Sequence, residues 1–152
     1  MQIVLATHNK GKMSEINNLL SSFYEVLTLD HFPNIKEIPE TGKTLKENAF
    51  IKARTVFEMT GLPSLADDTG LEVESLGGDP GVYSARYAGE QASYQDNCEK
   101  LLKNMMRVPK KDREAKFRTV IAYKDDNREL FCDGTVKGEI ARAPKGSFGF
   151  GY

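Results

Sequence analysis

Gln2-Ile3-Val4-Leu5-Ala6 runs directly into Thr7-His8-Asn9-Lys10-Gly11-Lys12. The first stretch is a short apolar run of strand length, and the second is a polar, basic loop. Beyond the loop, Ile16, Leu19, Leu20 and Phe23 recur at helical spacing, which predicts a helix from about Met13 to Phe23. Residues Tyr24 to Leu29 read as a second strand. Strand, polar loop, helix and strand in that order open an α/β unit. The fold class follows from this opening.

Working outward, Thr44-Leu45-Lys46-Glu47 is a T-x-x-E capping box, the clearest helix start in the chain. Leu45, Ala49, Ala53, Val56 and Phe57 mark one face of that helix, and Gly61 is its stop. Leu65 to Val73 holds two short apolar stretches around Asp67-Asp68-Thr69-Gly70, so a hairpin-like reversal is expected there. Gly77, Gly78, Pro80 and Gly81 make a loop. Ser93 with Asp96 resembles a second cap, followed by a helical stripe of Tyr94, Cys98, Leu101, Leu102 and Met105. Lys116–Tyr123 and Glu129–Val136 are β-rich and separated by Asp125-Asp126-Asn127, a hairpin signal. There is no internal repeat, linker or low-complexity segment.

The chain of 152 residues suits a single domain and is long enough to bury a core. A 39% hydrophobic and 28% charged composition is that of an ordinary globular protein. A net charge of -1 gives the whole chain no bias toward a nucleic-acid polymer or an acidic membrane, though a local site can still be basic. No apolar run approaches a membrane span, and the N-terminus lacks the features of a signal peptide. Cys98 and Cys132 stand alone without CxxC spacing, so neither a disulfide framework nor a zinc site is expected, and a reducing cytoplasm fits them better.

Three stretches could carry chemistry. The Thr7–Lys12 loop follows a strand and opens a helix, where backbone N–H groups and the positive helix end favour phosphate. Lys10 and Lys12 add charge, and Thr7 and Asn9 add hydrogen bonds. The loop is not a P-loop, because G-x-x-x-x-G-K-[ST] is absent, and a solvated basic turn is the plain alternative. Asp67-Asp68, with Glu40 upstream, offers the carboxylate oxygens that a hard cation such as magnesium takes alongside substrate phosphates; the alternative is an exposed acidic turn. Gly146 to Tyr152 alternates glycine with aromatic residues, as suits either stacking on a flat base or an aromatic edge strand. His8 lacks a metal-ligand partner at a recognised spacing. His31 reads as a surface residue, Cys98 as core, and Lys110-Lys111-Asp112-Arg113-Glu114 as a solvated loop.

Taken in order, these stretches resemble the inosine triphosphate pyrophosphatase family. Ala6-Thr7-x-Asn9-x-x-Lys12 is similar to its T-x-N-x-x-K signature. Glu40-Thr41-Gly42, then Glu47-Asn48-Ala49 with Lys52-Ala53, resembles its second block. Ala66 to Leu71 and Leu76 to Tyr87 resemble its third, and Phe148-Gly149-Phe150-Gly151-Tyr152 the start of its fourth.

The resemblance implies an elongated α/β fold with a long, strongly twisted mixed sheet flanked by helices, and two lobes around a nucleotide cleft. It implies a single domain lacking the family's C-terminal segment, and usually a homodimer. It implies hydrolysis of non-canonical purine nucleoside triphosphates (ITP, dITP, XTP) to monophosphate and pyrophosphate, with Mg2+ as cofactor. By motif position, Thr7, Asn9 and Lys12 would hold the triphosphate, with His8, Lys10 and Gly11 in the same loop. Glu40 and Asp68 would serve the metal, Asp68 also accepting a proton, and Thr69 would touch substrate. Lys52 would orient phosphate or water, and Phe150, Gly151 and Tyr152 would line the base pocket.

In the family, a lysine and a Ser-His-Arg motif lie beyond the fourth block, so this 152-residue form is expected to be weakly active and weakly base-selective. The other readings are an inactive nucleotide-binding remnant and a Maf-like nucleotide pyrophosphatase.

Overall fold

The computed structural model describes residues 1–146 and 152. Among these residues the chain forms β1 (Gln2–Leu5), α1 (Lys10–Leu20), β2 (Glu25–Thr28), α2 (Leu45–Thr60), β3 (Ser64–Val73), β4 (Pro80–Gly81), α3 (Tyr94–Asn104), β5 (Glu114–Lys124) and β6 (Glu129–Glu139). The strands make one mixed sheet in the order β2-β1-β3-β5-β6, with β4 pairing antiparallel to β3. β1 pairs in parallel with both β2 and β3. The fold is therefore mixed α/β, as the opening of the sequence predicts.

Two compact units make up the chain. One comprises residues 1–68 and 120–133, the other residues 69–119 and 134–152. The first contains the β1-α1-β2 crossover. Ile3, Val4, Leu5 and Ala6 are all buried, so β1 reads as an unbroken apolar run because both its faces are covered. α2 starts where Thr44 Oγ1 accepts the Glu47 N–H at 3.1 Å and ends at Gly61, whose φ of 67° is the left-handed cap that glycine adopts without strain. The reciprocal arm of its capping box is displaced by one residue, since Glu47 Oε2 accepts from the Lys43 N–H at 2.6 Å. Leu45, Ala49, Ala53 and Val56 are buried, at the helical spacing read from the sequence.

In the second unit, Leu71, Val73, Leu101 and Met105 form a buried cluster, with Tyr87, Ile140 and Tyr152 packed against it. α3 opens with a complete capping box between Ser93 and Asp96. Tyr94, expected on its apolar stripe, is half exposed instead. Arg113, expected in a solvated loop, is 3% exposed, and its guanidinium donates to the carbonyls of Met105, Val108, Ile140 and Ala141.

Two further expectations are overturned. The first helix begins at Lys10 and ends at Leu20, three residues earlier at each end than the apolar spacing suggests, because Asn9 supplies the cap. Lys10, Gly11 and Lys12 thus form its first turn rather than a loop. Asp67-Asp68-Thr69-Gly70 is not a reversal, since β3 runs unbroken from Ser64 to Val73. Asp and Gly favour turns by local preference, but here lysines from two helices meet the carboxylates and the strand continues through them.

Candidate active site

The site in the first unit grows from the end of β1. The Ala6 N–H donates to the Leu65 carbonyl at 2.8 Å, which ties the end of β1 to β3. The chain then turns, with Thr7 Oγ1 accepting the Asn9 N–H at 3.2 Å and Asn9 Oδ1 accepting the Lys12 N–H at 3.1 Å. Each side-chain oxygen accepts one of these bonds, and Thr7 and Asn9 still have a hydroxyl hydrogen and an amide NH2 to donate. α1 carries no acidic residue in its first turn. A positive helix end with donors around it suits an anion. His8 and Lys10 are exposed, and Lys12 is partly buried.

β3 brings the acidic pair to the same place. Asp67 is 2% exposed and Asp68 7%. Successive side chains on a strand point to opposite faces, so each aspartate meets its own lysine. Lys12 Nζ from α1 lies 2.5 Å from Asp67 Oδ2. Lys52 Nζ from α2 lies 4.0 Å from Asp68 Oδ1 and 2.6 Å from Glu40 Oε1. Lys52, expected to orient phosphate or water, here bridges the two carboxylates expected to serve a metal.

Burial pushes the Asp68 carboxyl up to about 6, with Lys52 pulling the other way and Glu40 adding to the rise. Taking a carboxylate out of water disfavours its charged form, and the lysine offsets this only in part. A carboxyl near 6 is ionised at neutral pH yet basic enough to accept a proton from water.

The donor set fits a magnesium ion. Glu40 and Asp68 already hold one cation, the Lys52 ammonium, between them. Among the described residues no group of three or more His, Cys, Asp or Glu could hold a metal. Magnesium does not need one, since it keeps several waters and usually takes one or two carboxylates plus substrate phosphates.

The second unit holds the remaining candidates. Thr69 Oγ1 and Thr119 Oγ1 on β5 are 2.9 Å apart. Tyr152 packs its ring on the Leu71–Met105 cluster, and its hydroxyl donates to the Ser84 carbonyl at 2.8 Å. Burial raises the phenol well above its ordinary value. Phe150 and Gly151 lie outside the described residues. His31 is exposed, as expected, and its Nδ1 lies 3.3 Å from Thr28 Oγ1. Cys98 is half-buried rather than core.

Sequence reading quoted Asn48, 0% exposed in the first turn of α2, only as part of a family block without a role, and did not name Thr119. A signal existed for Asn48, because an asparagine inside a helix among apolar positions is out of keeping with helix propensity. For Thr119 there was none, since threonine is ordinary in a strand.

Comparison with known proteins decides the lineage of this site. The Ham1 family profile matches residues 3–152. The chain belongs to the Ham1 family. A relative from Vibrio cholerae, named dITP/XTP pyrophosphatase, is 51% identical over 99% of this chain and 77% of its own length. A Shigella flexneri protein of the same name is 46% identical over 99% of this chain and 78% of its own. Among solved structures, a Ham1 protein from Coxiella burnetii superposes with a TM-score of 0.91 at 42% identity, covering 100% of this chain and 79% of the other. The Ham1 protein of Staphylococcus aureus gives 0.89 at 39% identity, covering 100% and 78%. These matches bear out the family resemblance and the mixed α/β fold read from the motifs.

Proposed function

We propose that this Ham1-family chain is a nucleoside triphosphate pyrophosphatase that hydrolyses non-canonical purine nucleoside triphosphates (ITP, dITP and XTP) to the monophosphate and pyrophosphate. One observation carries the chemistry. Two buried aspartates on one strand are each met by a lysine, beside a helix N-terminus whose neighbouring side chains present donors. A triphosphate is a dense anion, and this arrangement supplies cations and N–H donors for the phosphates and a carboxylate of raised proton affinity for water.

In this reading Thr7, Asn9 and the first turn of α1 hold the phosphates. Lys12 exchanges its contact with Asp67 for one with the triphosphate. Glu40 and Asp68 would hold magnesium, which offsets phosphate charge and acidifies water when bound. Lys52 leaves the space between those carboxylates and turns toward phosphate. Water attacks the α-phosphorus as Asp68 takes its proton. The bond from the α-phosphorus to the bridging oxygen breaks, and pyrophosphate leaves with the electron pair. No covalent enzyme intermediate is required. Thr69 contacts substrate from the strand position next to Asp68, and Phe150, Gly151 and Tyr152 belong to base recognition. We place the reaction in the cytoplasm and expect a homodimer. Among the described residues no helix is long and apolar enough to cross a membrane.

The direct test is pyrophosphate release from ITP, dITP and XTP against ATP, with and without Mg2+. Release from the non-canonical triphosphates, abolished by chelation, is the expected result. Monophosphate-free release of inorganic phosphate would point to a different bond and overturn the reading.

A further inference from the structure

Asn48 is fully buried in the first turn of α2. Asparagine is a poor choice inside a helix, because its side chain competes with the backbone for hydrogen bonds. Here the side chain reaches out of the helix. Its Oδ1 accepts the Gly42 N–H at 2.7 Å, and that bond settles which end of the amide is oxygen. Nδ2 therefore faces the other way, where its contact with the Asp68 carboxylate falls short of a well-formed hydrogen bond. A buried donor so loosely met is costly, so a position that retains one calls for an explanation.

Its surroundings supply one. The Asp68 carboxyl is raised chiefly by burial, and Asn48 joins Lys52 in opposing that rise, which puts the amide beside the carboxylate. Lys52 lies four residues further along α2, so both side chains project from one helix face toward Asp68. On the other side, Gly42 is two residues from Glu40. A Cβ built on Gly42 would stand 2.6 Å from Asn48 Oδ1 and 2.6 Å from Glu47 Cβ, so only glycine lets the chain come this close.

We propose that Asn48 is a positioning residue for the two metal carboxylates: its carbonyl holds the Glu40–Gly42 segment, its amide holds Asp68, and one side chain thereby sets their spacing. The inference rests on the assignment of Glu40 and Asp68 to magnesium in the proposed function. Groups that orient metal ligands without touching the metal commonly contribute about 10–100-fold to metal affinity.

The test is a titration of Mn2+, followed by electron paramagnetic resonance, into protein carrying the non-hydrolysable α,β-methylene analogue of dITP. Asn48→Leu keeps the volume and removes both arms, and Gly42→Ala disturbs the carbonyl arm alone should the first variant fail to fold. Both are expected to raise the Mn2+ half-saturation, Asn48→Leu by about tenfold. The Mg2+ half-saturation of turnover should move by the same factor, while analogue binding without metal stays unchanged. A residue that only supports the fold would lower the melting temperature and leave the metal titration where it was, and that result overturns the proposal. Glu40→Gln and Asp68→Asn serve as controls. If they weaken Mn2+ and the Asn48 and Gly42 variants do not, the positioning role alone fails. If none of the four does, the metal assignment fails and takes the proposal with it.

Discussion

The chain contains two Asp-Asp pairs that read alike in sequence, Asp67-Asp68 and Asp125-Asp126, each followed by turn-favouring residues. The structure treats them in opposite ways. Asp125 sits at a hairpin turn between β5 and β6, where its Oδ1 accepts the backbone N–H groups of Asn127 and Arg128 at 2.9 and 2.7 Å. The Asn127 backbone contact, with help from the Tyr123 hydroxyl and Arg128, holds its carboxyl down at about 2. Asp68 lies in the middle of a strand, buried, and is pushed up to about 6. The first carboxylate is stabilised by donors in water and serves the turn. The second is destabilised by dry surroundings and held by a lysine, which leaves it basic and reactive. The same side chain is structural or chemical according to what surrounds it.

The sharpest way to break this contrast is to neutralise each aspartate in turn. Asp68→Asn should lower pyrophosphate release from ITP by roughly two or more orders of magnitude, since general-base and metal roles are each typically worth that much. Asp125→Asn should leave the rate unchanged. Equal losses at the two positions would dissolve the distinction.

Next in size is the lysine facing Asp67. A charge-assisted hydrogen bond contributes about 1.5–3 kcal/mol, so Lys12→Met should weaken binding of non-hydrolysable triphosphate analogues by about tenfold or more. The loss should be the same for inosine and guanosine analogues, because a phosphate contact carries no base information. A base-dependent loss in the titration would remove Lys12 from the phosphate site. The variant should also melt at a lower temperature, because Asp67 stays buried after its cation is gone.

The pH dependence sharpens the comparison further. Asp68 must be ionised to accept a proton and is raised to about 6, so kcat/KM should fall as pH drops through about 6 and level off above it. Lys52→Met removes the strongest influence that lowers this carboxyl, so the midpoint should move up in a kcat/KM profile. A parent midpoint near 4, or one that moved down in Lys52→Met, would deny the burial account.

The smallest expected effect belongs to the hairpin. Asp125 is depressed from an ordinary 3.8, so its stabilising contribution is fully present above that value and is lost as pH falls through about 2. Melting curves between pH 5 and pH 2 should therefore decline less steeply for Asp125→Asn than for the parent chain.

How much of this was legible beforehand varied with the range of the interactions. Local signals were read correctly, among them the Thr44 and Ser93 caps, the Gly61 stop and the β5–β6 hairpin. Each is decided within a few residues of chain. The start of α1 was misplaced because an asparagine cap outweighed the apolar spacing that begins later. The Asp67–Gly70 reversal was wrong because turn preference is local, whereas the lysines that make a strand possible there come from Lys12 and Lys52.

The sequence by itself determined the α/β opening, the order of motifs that marks the family, and the residue types available for phosphate and metal chemistry. Those depend on side-chain identity and short spacings, which the chain carries in one dimension. The tertiary structure alone decided which lysine faces which aspartate, that Lys52 stands between Glu40 and Asp68, and that Asn48 is buried between Gly42 and Asp68. It also decided how strongly Asp68 holds its proton. Each of these is fixed by distance and by exclusion of water, and both arise only when segments remote in sequence pack against one another.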